Sequence, residues 1–176
     1  MAGKTIHSKT GVRKLAKEYQ AAHPRTRELI FVLQDWSDGY NVGGLFRVAD
    51  AVGATAVILT GKTPDPSHPM VPVTSLGAHR RVHFERCESN EEAVRKLKEQ
   101  GFHAVAVEIA EGAVSYLEFE WPEKVALVLG NEQKGVYGKV MKEIDAAVFI
   151  PMSGKGRSLN VHVAAAVVGF HVMLGQ

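Results

Sequence analysis

A single cysteine, Cys87, stands in 176 residues. One thiol excludes a disulfide framework and a cysteine-rich zinc site within the chain, and it suits a reducing cytosol. No apolar h-region is present near the N-terminus, which argues against secretion and for a cytoplasmic protein. The longest apolar run, residues 159–174, carries His162 and His171. It falls short of the roughly 20 residues that a bilayer span needs, so it reads as a buried helix with no membrane partner. G-x-x-x-x-G-K-[ST] is missing, as is a G-x-G-x-x-G after the first strand pattern. A P-loop nucleotidase and a Rossmann dinucleotide or methyl-donor site are both disfavoured. Eight histidines are present, but there is no H-E-x-x-H or comparable cluster, and no metal is expected. No G-x-S-x-G marks a hydrolase nucleophile. Internal repeats, low-complexity blocks and dividing linkers are likewise missing.

What remains is an ordinary globular composition, 45% hydrophobic and 23% charged, long enough for one domain with a sizeable core. The net charge is only +2, yet it is uneven. Residues 1–27 carry Lys4, Lys9, Arg13, Lys14, Lys17, Arg25 and Arg27 against Glu18 alone, so this segment is +6 and the rest −4. Such an arm is an electrostatic handle for a polyanion such as RNA. A solvated terminus is the other reading of the same charges.

Short β-branched runs at residues 29–33, 56–60, 103–109, 125–129 and 146–150 are mostly continuous rather than alternating, as in strands buried on both faces of a parallel sheet. Helical patterns fall between them at 44–52, 91–100, 137–144 and 159–174, and an amphipathic segment at 12–22 precedes the first strand. The alternation predicts an α/β fold: one parallel sheet with helices on both faces. Residues 61–78, with Pro64, Pro66, Pro69 and Pro72, read as a long loop. The segment His79-Arg-Arg-Val-His-Phe84 reads either as an RNA contact or as an edge strand with outward charges.

Three glycine-bearing segments follow strands: Asn41-Val-Gly-Gly-Leu-Phe-Arg47, Leu129-Gly-Asn-Glu-Gln-Lys-Gly135, and Ile150-Pro-Met-Ser-Gly-Lys-Gly-Arg-Ser-Leu-Asn160. In an open α/β sheet ligands lie beyond the carboxyl ends of the strands. Three such loops from neighbouring strands form one pocket, suited by backbone amides and a helix start to an anionic or nucleotide-like ligand.

These segments, in this order and spacing, resemble the three signature motifs of the SPOUT superfamily: Asn41-x-Gly43-x3-Arg47 with Asp50-Ala51-x-Gly53, Leu129-Gly130-Asn131-Glu132-x2-Gly135, and Ile150-Pro151-Met152-x5-Ser158-Leu159-Asn160-Val161. More narrowly they resemble its TrmH branch of S-adenosylmethionine-dependent RNA ribose 2′-O-methyltransferases, with Ser75-Leu-Gly-Ala78 a further likeness. The resemblance implies a methyltransferase domain over residues 28–176 after a basic, helix-bearing extension at 1–27. It also implies a deep trefoil knot in the C-terminal part, a homodimer, and an RNA partner. Transfer RNA is favoured over ribosomal RNA because the chain has only a short basic extension.

By position, the resemblance puts S-adenosylmethionine against Glu108, Gly130, Ile150, Ser158 and Leu159, and catalysis at Asn41, Arg47, Glu132, Ser158 and Asn160. It leaves Arg13, Lys14, Lys17, Arg25 and Arg27 to hold RNA phosphates without reading sequence. Each has a plainer reading. Arg47 pairs with Asp50 on the surface, Glu132 is a loop carboxylate, and Ser158 is a helix N-cap. Asn160, placed inside the first helical turn, is poorly explained by propensity. A non-catalytic RNA-binding module and a base methyltransferase of the same superfamily are the competing functions.

Overall fold

The computed structural model describes residues 5–6, 8–156 and 158–175. Lys4 of the basic arm and Arg157 of the third segment lie outside the described residues. In β1 (Glu28–Gln34) successive side chains fall on opposite faces, and both faces are dry. Leu29, Phe31 and Leu33 enter one core; Ile30 and Val32 enter the other. The same division runs through β2 (Ala56–Thr60) and β6 (Lys124–Leu129), which flank β1 in register: Phe31 lies beside Val57 and Leu127. With β3 (Phe84–Cys87), β4 (His103–Val107), β5 (Val114–Ser115) and β7 (Ala146–Phe149), the strands form one seven-stranded sheet in the order β3-β2-β1-β6-β4-β7-β5. Every pairing is parallel.

Helices cover both faces, as the continuous apolar runs require. α2 (Gly39–Val52) and α6 (Val161–Leu174) seal the Phe31 face through Val42, Leu45, Phe46, Ala165, Val168 and Val172. α4 (Asn90–Glu99) and α5 (Gly138–Met141) seal the Val32 face through Ala93, Val94, Leu97 and Val140. α1 (Lys9–Ala22) buries no residue. It leads to β1 through Arg25, which donates to the Gly53 carbonyl at 3.0 Å, and Arg27, which donates to the carbonyls of Val172, Gly175 and Trp121 at 3.2, 3.0 and 3.4 Å. No helix among the described residues is long and apolar enough to cross a membrane.

The core strands begin within one residue of their predicted starts, but three regions differ. α2 begins at Gly39, five residues before the predicted start at 44, so Asn41-x-Gly43 is helical rather than loop. Two adjacent glycines weigh against a helix by propensity; packing reverses this. A side chain at residue 43 would overlap the Val71 carbonyl and the Thr74 hydroxyl of α3 (Met70–Ser75), so only glycine lets these helices meet. Asp38 caps the new start by accepting from the Tyr40 amide at 2.8 Å. α3 itself interrupts the predicted loop at 61–78. The segment 79–84 divides between a short 3-10 turn, Ala78–Arg80, and the start of β3, which is an edge strand paired only with β2.

Phe31 is fully buried at the centre of the sheet. Phe31→Ala should lower stability by about 3–5 kcal/mol, read as a reduced urea midpoint with an unchanged slope.

Candidate active site

Four adjacent strands, β1, β6, β4 and β7, end together, and the segments that leave them enclose a cleft of about 500 Å³. β1 leads through residues 35–38 into α2 and delivers Asn41. β4 ends one residue before Glu108, β6 runs into Asn131 and Glu132, and β7 into Ile150, Ser158, Leu159 and Asn160. Asn41, Glu108, Glu132, Ile150, Ser158, Leu159 and Asn160 therefore share one cavity, as expected. Gly130 shapes it from behind: a β-carbon there would overlap the backbone of Gly135 and Val136, so two chain segments touch where only glycine fits.

Glu132 organises the rim. Its carboxylate accepts from the Ser37 amide at 3.1 Å, the Asp38 amide at 3.2 Å, the Ser37 hydroxyl at 3.3 Å and the Asn41 side-chain amide at 3.2 Å. Partial burial alone would raise its pKa. The hydrogen bonds from its own amide, Ser37, Asn41 and Asp38 outweigh that and hold the group below the ordinary carboxylate value. Glu132 thus ties the loop after β6 to the first turn of α2. Its plain reading as a loop carboxylate does not describe this geometry.

Because a carboxylate only accepts, the Asn41 amide nitrogen must face Glu132 and its Oδ1 must face away. That Oδ1 accepts from Asn160 Nδ2 at 2.9 Å. Asn160 in turn accepts from the His162 amide at 3.0 Å, which makes Asn160 the N-cap of α6. The assignment of the cap to Ser158 is therefore corrected: the helix starts at Val161, Ser158 lies two residues before the cap, and its side chain is exposed at the cleft. Asn160 is also not inside the first turn, which removes its conflict with helix propensity.

Glu108 is committed to the protein. One carboxylate oxygen accepts from the Val136 amide at 2.8 Å and the other from the Ile109 amide at 2.9 Å, fixing the Gly135 turn against β4. Two contributors lay beyond the sequence-derived site. Gln34, fully buried, donates to the Gly135 carbonyl at 3.0 Å and accepts from the Tyr137 amide at 2.8 Å. Asn131 donates to the Asp35 carbonyl at 2.5 Å and accepts from the Gln133 and Lys134 amides at 3.0 and 3.2 Å, closing its loop. Asn131 lay inside the quoted motif, whereas an apolar strand gave no signal for Gln34.

Arg47 is not in this cleft. It is exposed on α2 and borders a second hollow of about 540 Å³ with Gly44, Thr74, His162 and Phe170. The surface pair with Asp50 is corrected: Asp50 is held by Arg81, whose Nη2 and Nε donate at 2.6 and 3.1 Å. Among the described residues Arg47 has no ion-pair partner. Arg13, Lys14 and Lys17 lie on α1, with Lys14 loosely paired to Glu18 at 3.8 Å. Arg25 and Arg27 are occupied by the carbonyls of α2 and α6 described above, so the five arm cations do not form one free surface.

Residues 28–170 match the SpoU rRNA Methylase family. The tRNA (guanosine(18)-2′-O)-methyltransferase of Thermus thermophilus is 36% identical over 149 residues, 83% of this chain and 74% of that protein. The 23S rRNA (guanosine(2553)-2′-O)-methyltransferase RlmP of Bacillus subtilis is 31% identical over 84% of this chain and 58% of its own length. Among solved structures, an AdoMet-bound rRNA methyltransferase from Sinorhizobium meliloti superposes with a TM-score of 0.78 at 31% identity, over 85% of this chain and 57% of that one. A structure concerned with 2-OH methylation of C/U34 on tRNA matches with a TM-score of 0.74 at 26% identity, over 84% of this chain and 95% of that one.

Glu132→Gln should lower stability by about 1 kcal/mol, the low end for a charged hydrogen-bond acceptor because the group is only half buried. With its folded pKa lowered, Glu132 contributes stability above the unfolded value of about 4.3, and that contribution is lost as the pH falls through the folded value. Urea midpoints taken across the acid range should accordingly fall less steeply for the variant than for the parent.

Proposed function

The chain belongs to the SpoU rRNA Methylase family, and on that premise we propose that it transfers a methyl group from S-adenosylmethionine to a ribose 2′-hydroxyl of RNA, with transfer RNA as the substrate class. The observation that carries this reading is the convergence of Asn41, Glu132, Ser158 and Asn160 on one cleft, with Arg47 bordering the adjoining hollow. The cleft suits the donor. Its size is that of a small-molecule site, and Leu129, Ile150 and Leu159 offer apolar walls for a flat ring. Glu108, Gly130, Ile150, Ser158 and Leu159 are assigned to holding it, Glu108 through the loop it pins. When bound, the group supplies an electrophilic methyl on a sulfonium.

The chain's own contribution is positioning and charge. Glu132 and Asn160 hold Asn41 from both ends of its amide, so its orientation is set before RNA arrives. Arg47, always protonated, grips the phosphate beside the target ribose and stabilises negative charge developing on its oxygen. It does not take the proton. Transfer RNA is favoured because the Thermus relative named for it is matched over more of its own length than the Bacillus relative named for 23S rRNA. Ribosomal RNA is the alternative substrate.

Residues 1–27 serve as an RNA-holding extension to a domain at 28–176. Arg13, Lys14 and Lys17 meet phosphates, while Arg25 and Arg27 anchor the root of the arm to the ends of α2 and α6. Membership of this family supports threading of the C-terminal segment as a trefoil knot. Uncovered apolar side chains on α6 outside the adjoining hollow, Val163 and Leu174, support a homodimer through the terminal helix. The lone thiol suits a cytoplasmic setting.

The test is transfer of labelled methyl from S-adenosylmethionine into purified tRNA and rRNA fractions, followed by alkaline hydrolysis. Alkali-resistant labelled dinucleotides from tRNA are expected. Label in mononucleotides would mean base methylation, and no transfer by folded, donor-binding protein would mean a binding role. Arg47→Lys should reduce turnover about 100-fold or more, because lysine cannot supply a bidentate fork. Near-parental turnover would refute the clamp.

A further inference from the structure

A ribose hydroxyl that attacks a methyl group must shed a proton, and the carboxylates assigned above, Glu108 and Glu132, are already engaged by donors of the protein. The hollow beside the cleft contains a further acceptor. His162, the second residue of α6, lays its imidazole over Gly44 of α2; a β-carbon at residue 44 would come within 2.9–3.1 Å of Cδ2, Cγ and Nε2. The ring can therefore occupy this place only against glycine, and it borders the same hollow as Arg47.

The tautomer follows from the hydrogen bonds. Glu132 accepts from Asn41 Nδ2, so Asn41 Oδ1 is directed toward Asn160 and His162. His162 Nδ1 lies 3.2 Å from that oxygen, which can only accept, so Nδ1 carries the hydrogen. In the neutral ring the lone pair is then on Nε2, and among the described residues Nε2 has no hydrogen-bond partner. Burial pushes the His162 pKa down, opposed in part by the Asp38 carboxylate, so the ring is neutral near pH 7. Its charged surroundings are Asp38 and Arg47 from α2, with Glu132 one residue away through Asn41. The side chains of α3 and its C-cap at the hollow, Val73, Thr74 and Leu76, do not titrate in this range.

We propose that His162 is a catalytic residue: its Nε2 accepts the proton of the RNA 2′-hydroxyl while Arg47 holds the adjacent phosphate. This inference rests on the methyltransferase reading. The O–H bond breaks and an N–H bond forms at Nε2. The oxygen pair forms the new O–CH₃ bond, and the pair of the breaking S–CH₃ bond stays on sulfur. The sulfonium charge is replaced by an imidazolium charge, so the site's net charge is unchanged. Asn41 connects the two halves: its side chain lines the cleft while its Oδ1 positions the base on the side of Arg47.

His162→Asn tests the idea without unfolding the helix start, because the asparagine amide can still donate to Asn41 Oδ1 but has nothing in place of Nε2. Single-turnover methyl transfer into the tRNA fraction would be followed from about pH 5 to 8. The parent should gain rate through one inflection below the ordinary histidine value and then level. The variant should be about 100-fold slower with no inflection, at unchanged RNA affinity. A variant with the parental rate or the parental pH profile overturns the proposal. Nitrogen NMR of the free protein gives an answer independent of activity. A protonated Nδ1 and bare Nε2 on His162 are expected at neutral pH, and a hydrogen on Nε2 overturns the assignment. If the parent transfers no methyl to either RNA, the methyltransferase reading and this role for His162 fail together; transfer by the parent with the wrong tautomer removes His162 alone.

Discussion

Everything at the site depends on the Glu132 carboxylate. It is the point where the loop after β6 is bonded to the first turn of α2, and its acceptor-only chemistry dictates how the next side chain must turn. From Glu132 the direction passes to Asn41, from Asn41 to Asn160 and His162, and from Asn160 to the start of α6. One charge thereby sets the orientation of two amides, a helix cap and an imidazole tautomer. Hydrogen bonds to an ionised acceptor are stronger than neutral ones, which suits Glu132 to this place better than a glutamine that must also donate.

Close backbone approach is the second constraint. At Gly130 the chain touches its own later segment at Gly135 and Val136, and at Gly43 α2 meets α3 with no room for a side chain. Gly53 has another role: its φ of 69° ends α2 in the left-handed conformation and leaves its carbonyl to Arg25. The glycines that look alike in the sequence thus act by different physics. Two are spaces, and one is a backbone conformation.

Much of the architecture was legible because burial on both faces leaves an unbroken apolar run. β1, β2, β4, β6 and β7 could be located from that signal, and the cleft from the segments that follow them. α3, β3 and β5 were not legible. α3 is six residues in a proline-rich stretch, β5 is two residues, and β3 is an exposed edge with Glu85 and Arg86 in it. Short or exposed elements bury too little apolar surface to leave a periodic pattern. The site residues were assigned through the resemblance of three motifs to a known family, and Gln34, at the end of an apolar strand, lies in none of them.

By itself the sequence determined the class of fold and the order of the core elements, since these follow from local pattern and chain order, and its motifs held most of the side chains that meet beyond the strand ends, Arg47 excepted. Tertiary structure alone decided the roles of these side chains. It made Asn160 rather than Ser158 the cap, gave Asp50 to Arg81 rather than Arg47, turned Arg27 toward the end of α6, and placed His162 over Gly44. Each of these depends on which donor and acceptor come within about 3 Å across long separations in the chain, and hydrogen bonding falls off too steeply with distance and angle for spacing along the sequence to encode it.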